Sequence, residues 1–138
     1  MGEVRRETFF DSNIPLYLLS DDAAKAQRAE SLLIEGGVIS VQVLNELARV
    51  MAGKYGMPWN EVRQTLQTLR RTCEVLPLTL ETHELGLWLA ERQGFAFFDA
   101  LIVASALLAG CTVLYSEDFQ HGIKVENRLT IRNPFIAG

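Results

Sequence analysis

The sequence predicts an α/β protein, a three-layer α/β/α sandwich around a central, mainly parallel sheet of four to five strands, in one domain over residues 1–138. Three observations carry this prediction. A chain of 138 residues suits one hydrophobic core. Short apolar runs alternate with amphipathic segments along its length, and parallel neighbours need crossovers that put helices on the sheet's faces. At 49% hydrophobic and 22% charged residues with four prolines, the composition is globular, and no repeat or low-complexity linker divides it.

Glu7-Thr-Phe-Phe-Asp11 has the aromatic character of a short strand, and Asp11 to Pro15 reads as the turn that ends it. Asp21 and Asp22 are helix-start residues, and Ala23, Ala26, Ala29, Leu32 and Leu33 recur at helical spacing until Gly36 and Gly37. Val38 to Val41 is a second buried strand, running into a helix through Val43 and Met51 that ends near Gly53 to Gly56 and carries Glu46 in its first turn. Pro58 opens another helix with Val62, Leu66 and Leu69 on one face. A third strand is expected at Val75 to Leu78 and a helix through Leu85 to Ala90 ending at Gly94. Phe98 to Ala109 is a strongly apolar helix with Asp99 in its first turn. Thr112 to Tyr115 is the fourth strand and Leu129 to Arg132 a short fifth.

The apolar run from Phe95 to Tyr115 has the length of a bilayer span, about 20 residues, but Asp99 and Gly110 inside it fit a buried helix followed by a strand better. The charged start, Met1 to Glu7, lacks the apolar core of a signal peptide, so the cytoplasm is the expected location. Cys73 and Cys111 stand far apart in apolar stretches and are expected to be buried, reduced thiols. The net charge of −4 argues against a protein that coats nucleic acid nonspecifically. Its distribution is uneven: Arg49, Lys54, Arg63, Arg70 and Arg71 face only Glu61 between Leu47 and Cys73, a segment that suits either an RNA-backbone surface or the solvated faces of two helices.

In a parallel sheet, ligands bind beyond the carboxyl ends of the strands. Asp11, Glu46 and Asp118 follow strands in this prediction, and Asp99 joins them if its helix starts at the same edge. Each acid alone has an ordinary explanation: a turn for Asp11, a helix dipole for Glu46, a cap for Asp99, a solvated loop for Asp118. Together, without an adjacent His or Lys, they point to a hard divalent cation, Mg²⁺ or Mn²⁺, which relieves the repulsion of clustered carboxylates. Asn13 and Ser116 are secondary ligand candidates. The chemistry that suits such a cluster is metal-assisted hydrolysis of a phosphodiester. His83 and His121 have no Ser or Cys partner for a nucleophilic mechanism and read as surface residues.

Phe9-Phe-Asp-Ser-Asn-Ile14, Val43-Leu-Asn-Glu-Leu47, Phe98-Asp-Ala-Leu-Ile-Val-Ala-Ser-Ala106 and Leu114-Tyr-Ser-Glu-Asp-Phe-Gln-His-Gly122 resemble the successive motifs of PIN-domain proteins, especially VapC-type toxins of toxin–antitoxin pairs. The resemblance spans nearly the whole chain. It implies an endoribonuclease using Mg²⁺ or Mn²⁺, RNA as substrate, a homodimer, no membrane, and a cognate antitoxin as partner. The matching acids are Asp11, Glu46, Asp99 and Asp118, with Ser116 as the accompanying hydroxyl and Asn13 as the amide two places after the first acid. Glu117 beside Asp118 leaves open which carboxylate turns inward. Two alternatives remain: a Mg²⁺-dependent phosphatase with Asp11 as nucleophile, which lacks a second Asp two residues on, and a PIN-like protein-binding module with little catalysis.

Overall fold

A computed structural model of the chain describes residues 6–136; the charged start therefore falls largely outside the described residues. Among the described residues six strands form one sheet: β1 (Thr8–Phe10), β2 (Gly37–Ser40), β3 (Cys73–Leu76), β4 (Val113–Tyr115), β5 (Lys124–Val125) and β6 (Leu129–Arg132). Their order is β3-β2-β1-β4-β6-β5, all pairs parallel except β5 with β6. The sheet thus has six strands where four to five were expected. The extra one, β5, is two residues long, too short to leave a periodic signal.

The helices are α1 (Asn13–Leu16), α2 (Ala23–Glu35), α3 (Val41–Gly53), α4 (Trp59–Thr72), α5 (Leu80–Gln93) and α6 (Phe97–Leu108). The chain winds outward from β1 through β2 to β3, then returns to the other side of β1 for β4. Right-handed crossovers then put the α2–α4 group on one face and α5–α6 on the other, and α5 packs along α6. Among the described residues no helix is long and apolar enough to cross a membrane.

Local chemistry fixes most boundaries. The Asp22 side chain accepts the Lys25 N–H to cap α2, and Gly36 at φ 85° ends it. Thr79 and Thr82 form a reciprocal capping box at the start of α5, and Gly94 closes it in the left-handed region at φ 75°. Gly37 begins β2 against Phe10, whose ring lies 2.5 Å from where a Cβ would stand, so a larger residue there would push β1 and β2 apart.

Three expectations need correction. The segment after Asp11 is a helical turn, α1, with Pro15 inside its first turn where proline is tolerated. The third strand runs Cys73–Leu76, two residues earlier than the apolar pattern suggested, because α4 ends at Thr72 and leaves Cys73 to pair with Gly37. Helix α3 starts at Val41, so Glu46 lies in its second turn and not its first.

The core is filled by Phe9, Phe10 and Leu114 of the central strands, Ile39, Val43 and Leu47 of the β2–α3 corner, and an almost wholly buried α6. Cys73 and Cys111 are free and buried, as expected.

Candidate active site

The strand order reverses direction between β1 and β4, which opens a crevice where their carboxyl ends diverge. Asp11 is the first residue after β1, its N–H donating to Tyr115 O at 3.0 Å, and Ser116 is the first after β4, its N–H donating to Arg132 O at 3.0 Å. The sheet ladder thereby fixes both backbones beside each other.

The Asp11 side chain is 3% exposed. Its Oδ2 accepts the Ser116 Oγ–H at 2.7 Å and its Oδ1 the Ser12 N–H at 2.7 Å. Having donated to Asp11, the Ser116 hydroxyl accepts the Asp118 N–H at 3.1 Å and the Asn13 amide at 3.3 Å. Asn13 Nδ2 also donates to Asp118 Oδ2 at 3.0 Å, and Asn13 Oδ1 accepts the Glu117 N–H at 3.3 Å. Asp11, Asn13, Ser116 and Asp118 therefore form one hydrogen-bonded unit across the crevice.

Glu46 enters from α3. Its Oε2 accepts the Ser12 Oγ–H at 2.6 Å and its Oε1 the Gln42 amide at 3.0 Å. Gln42 Nε2 also donates to Phe98 O at 3.0 Å, tying α3 to the first turn of α6, where Asp99 stands. Helix α6 is capped at Ala96 without a side-chain hydrogen bond, so Asp99 is not its cap. Adjacent to this cluster, Glu117 turns away: the Tyr17 hydroxyl donates to it and Lys25 Nζ lies 3.6 Å from it. Of the two neighbouring carboxylates, Asp118 is the one against Asn13.

The four acids share one electrostatic field. Burial, with Asp118 and Glu46 adding repulsion, pushes the Asp11 carboxyl up to about 7 despite its two hydrogen bonds. Asp99 is raised by burial first and then by the same two neighbours, Asp118 and Glu46. Among the described residues no Lys, Arg or His pairs with Asp11, Glu46, Asp99 or Asp118. A buried carboxylate without a compensating cation is costly, and Asp11, Asp118 and the side chains bonded to them offer a metal ion carboxylate, hydroxyl and amide oxygens. That donor chemistry fits a hard divalent cation. The side chains are not closed on a common point: among the described residues, no group of three or more Asp, Glu, His or Cys is already arranged to hold a metal ion.

Arg49, Lys54, Arg63, Arg70 and Arg71 are all exposed. Lys54 lines a cavity together with Asn13; Arg63, Arg70 and Arg71 lie on α4. Ser12, Gln42, Tyr17 and Lys25 were not singled out from the sequence. For Gln42 a signal existed: it precedes Glu46 by four residues, one helical turn. A cavity of ≈ 520 Å³ lies elsewhere, among Arg6, Glu7, Glu74, Thr82, Ser105 and Gly110, and none of the four acids lines it.

Residues 8–122 match the PIN domain family. The chain belongs to that family. No curated protein matches the sequence. In three dimensions this PIN domain is similar to a chain of a toxin–antitoxin complex from Klebsiella pneumoniae, with TM-score 0.71 and 21% identity over 93% of this chain and 98% of the other. It is similar to VapC20 of Mycobacterium tuberculosis, a toxin that cleaves the sarcin–ricin loop, with TM-score 0.64 and 20% identity over 79% and 88% of the two chains. It also resembles a chain of VapBC2 from Rickettsia felis bound to a promoter DNA fragment, with TM-score 0.62 and 17% identity over 91% and 97%. At these identities the likeness shows the fold.

Proposed function

We propose that this PIN domain is a Mg²⁺- or Mn²⁺-dependent endoribonuclease, the toxin of a toxin–antitoxin pair. The observation that carries the proposal is the charge imbalance: the buried Asp11 and the half-buried Asp99 are both raised by burial and then by the charges of Asp118 and Glu46, and among the described residues no cationic side chain pairs with any of the four. Asp11, Asp99 and Asp118 would hold the principal cation, with Asn13 and Ser116 orienting them and Glu46 at its margin. A divalent cation bound there supplies charge neutralisation at the phosphate and acidifies a water.

The chain's own residues supply positioning and proton transfer. Ser116 donates to Asp11 and accepts from both Asn13 and Asp118, so one hydroxyl fixes three site groups. Ser12 and Gln42 hold the two oxygens of Glu46, leaving lone pairs to take a proton from the attacking water. Asp11 as a phosphatase nucleophile is disfavoured, since both its oxygens accept hydrogen bonds at 2.7 Å and the side chain is buried.

An antitoxin as partner is supported by the fold's likeness to chains of toxin–antitoxin complexes. An apolar groove of ≈ 360 Å³, lined by Leu18, Leu33, Ile34, Leu66 and Leu69 among others, offers an apolar segment of that partner a seat. The exposed Leu80, Leu87 and Trp88 of α5 are consistent with the proposed homodimer. The basic residues of α3 and α4 would guide the RNA backbone, so charge reversal of Arg70 and Arg71 should weaken RNA binding and spare metal affinity.

The test is cleavage of a mixed cellular RNA pool by purified protein with Mg²⁺ or Mn²⁺, against EDTA and against Asp99→Asn. Cleavage lost in both controls is the expected result. Cleavage that survives Asp99→Asn would move the chemistry elsewhere, and none with any metal would favour the protein-binding module.

A further inference from the structure

A cavity of ≈ 250 Å³ adjoins the acid cluster. Its walls include Asn13, Glu117, Tyr17, Lys54 and Tyr55. Through Asn13, which donates to both Ser116 and Asp118, the cavity shares a wall with the proposed reaction centre.

Its two aromatic walls differ. The Tyr17 ring is locked, packed against Phe135 at 4.6 Å between centroids, with its hydroxyl bonded to Glu117 and accepting from Lys25 Nζ at 3.2 Å. Tyr55 is 39% exposed, and among the described residues no hydrogen bond or ring packing occupies its side chain beyond the Lys54 ammonium, 5.5 Å from its centroid. The backbone beneath it is nevertheless fixed. Tyr55 N–H donates to Val50 O at 3.3 Å and Met57 N–H to Met51 O at 2.9 Å, folding the turn back onto α3, and Gly56 takes the left-handed φ of 59° which that turn requires.

Lys54 is the unusual charge here. Lys25 is committed to Glu117 and Tyr17. Lys54 has no carboxylate partner among the described residues, although it shares the cavity with Asn13, which is bonded to Asp118. An uncommitted ammonium beside an open aromatic ring, against a centre that would otherwise repel a polyanion, matches what a single RNA strand needs: a cation for phosphate and a flat face for a base. The volume lies below the range typical of drug-sized pockets, about 300–1,000 Å³, and suits one ring system.

We propose that this cavity holds one nucleoside of a single-stranded RNA beside the reacting phosphate, its base stacked on Tyr55 and an adjoining phosphate on Lys54. This rests on the ribonuclease reading, and the test separates the two. Binding of a fluorescein-labelled single-stranded oligoribonucleotide is followed by anisotropy in Mg²⁺, with Asp99→Asn protein as the background, while intact protein is assayed separately for cleavage. Adding Tyr55→Ala should weaken binding by about five- to one-hundredfold, and Tyr55→Trp should restore it. Lys54→Met should weaken binding and flatten its salt dependence by about one phosphate contact. Trp59→Ala, an exposed aromatic outside the cavity, should leave binding unchanged.

Unchanged affinity in Tyr55→Ala, or no RNA binding by the Asp99→Asn protein, would overturn the subsite. If intact protein cleaves RNA while Tyr55→Ala binds normally, the ribonuclease stands and the subsite falls. Tyr55-dependent binding without cleavage by intact protein would keep the subsite and overturn the ribonuclease.

Discussion

The two ends of the sheet carry acids in opposite circumstances. At the amino end the Arg6 guanidinium pairs with Glu74 in the open, and the buried Cys111 thiol donates to Arg6 O at 3.2 Å, its pKa pushed up to about 12 chiefly by burial. The cavity of ≈ 520 Å³ lies there. At the carboxyl end Asp11 is buried with no cationic side chain paired to it among the described residues, and Asp118 and Glu46 add to its burden. The same contrast recurs within two residues: Glu117 has Lys25 and Tyr17, whereas Asp118 faces other acids. Charge balance, more than cavity size, is therefore what separates the end proposed to be reactive from the other.

Breaking the unbalanced end should have the largest effect. Glu46→Gln keeps the shape and removes the proton acceptor, and a fall in the cleavage rate of about 10²–10⁴-fold is expected; a rate within threefold of the parent would remove Glu46 from the chemistry. Gln42→Ala releases one oxygen of Glu46 and the link to Phe98, and as an outer positioning group should cost about 10–100-fold, with circular dichroism showing an intact fold.

Stability should follow the same asymmetry. In ion-free protein the Asp11 carboxyl titrates near 7 against 3.8 when unfolded, so the folded state binds its proton more tightly. The cost is absent below about pH 4, grows as pH rises, and is complete above about pH 7, on the order of 4 kcal/mol. Urea midpoints measured in EDTA should accordingly fall from pH 5 to pH 8, and Mn²⁺ should recover the loss at pH 8. Equal midpoints at the two pH values in EDTA would contradict the burial argument.

The balanced end should respond least. Arg6→Ala breaks an exposed ion pair, for which a loss of less than about 1 kcal/mol is expected. Cleavage by this variant should stay within twofold of the parent.

Much of this was legible in the sequence because it is written locally. The Asp22 cap, the stops at Gly36 and Gly94, and the apolar run of α6 with a single acid in its first turn each depend on residues a few positions apart. What escaped depends on distance along the chain. Strand β5 exists only because β6 lies beside it. The start of β3 at Cys73 is set by pairing with Gly37. The choice between Glu117 and Asp118 turns on Tyr17 and Lys25, about a hundred residues earlier. Ser12 holds Glu46 across 34 positions, a relation no local pattern encodes.

The most direct test of the central claim is calorimetric titration of the purified, ion-free protein with Mn²⁺ at pH 7.5, alongside Asp99→Asn and Arg6→Ala. Saturable binding by the parent and Arg6→Ala, lost or strongly weakened in Asp99→Asn, is the predicted result. Binding that is absent in the parent, or indifferent to Asp99→Asn, would mean that the four acids are not a cation site.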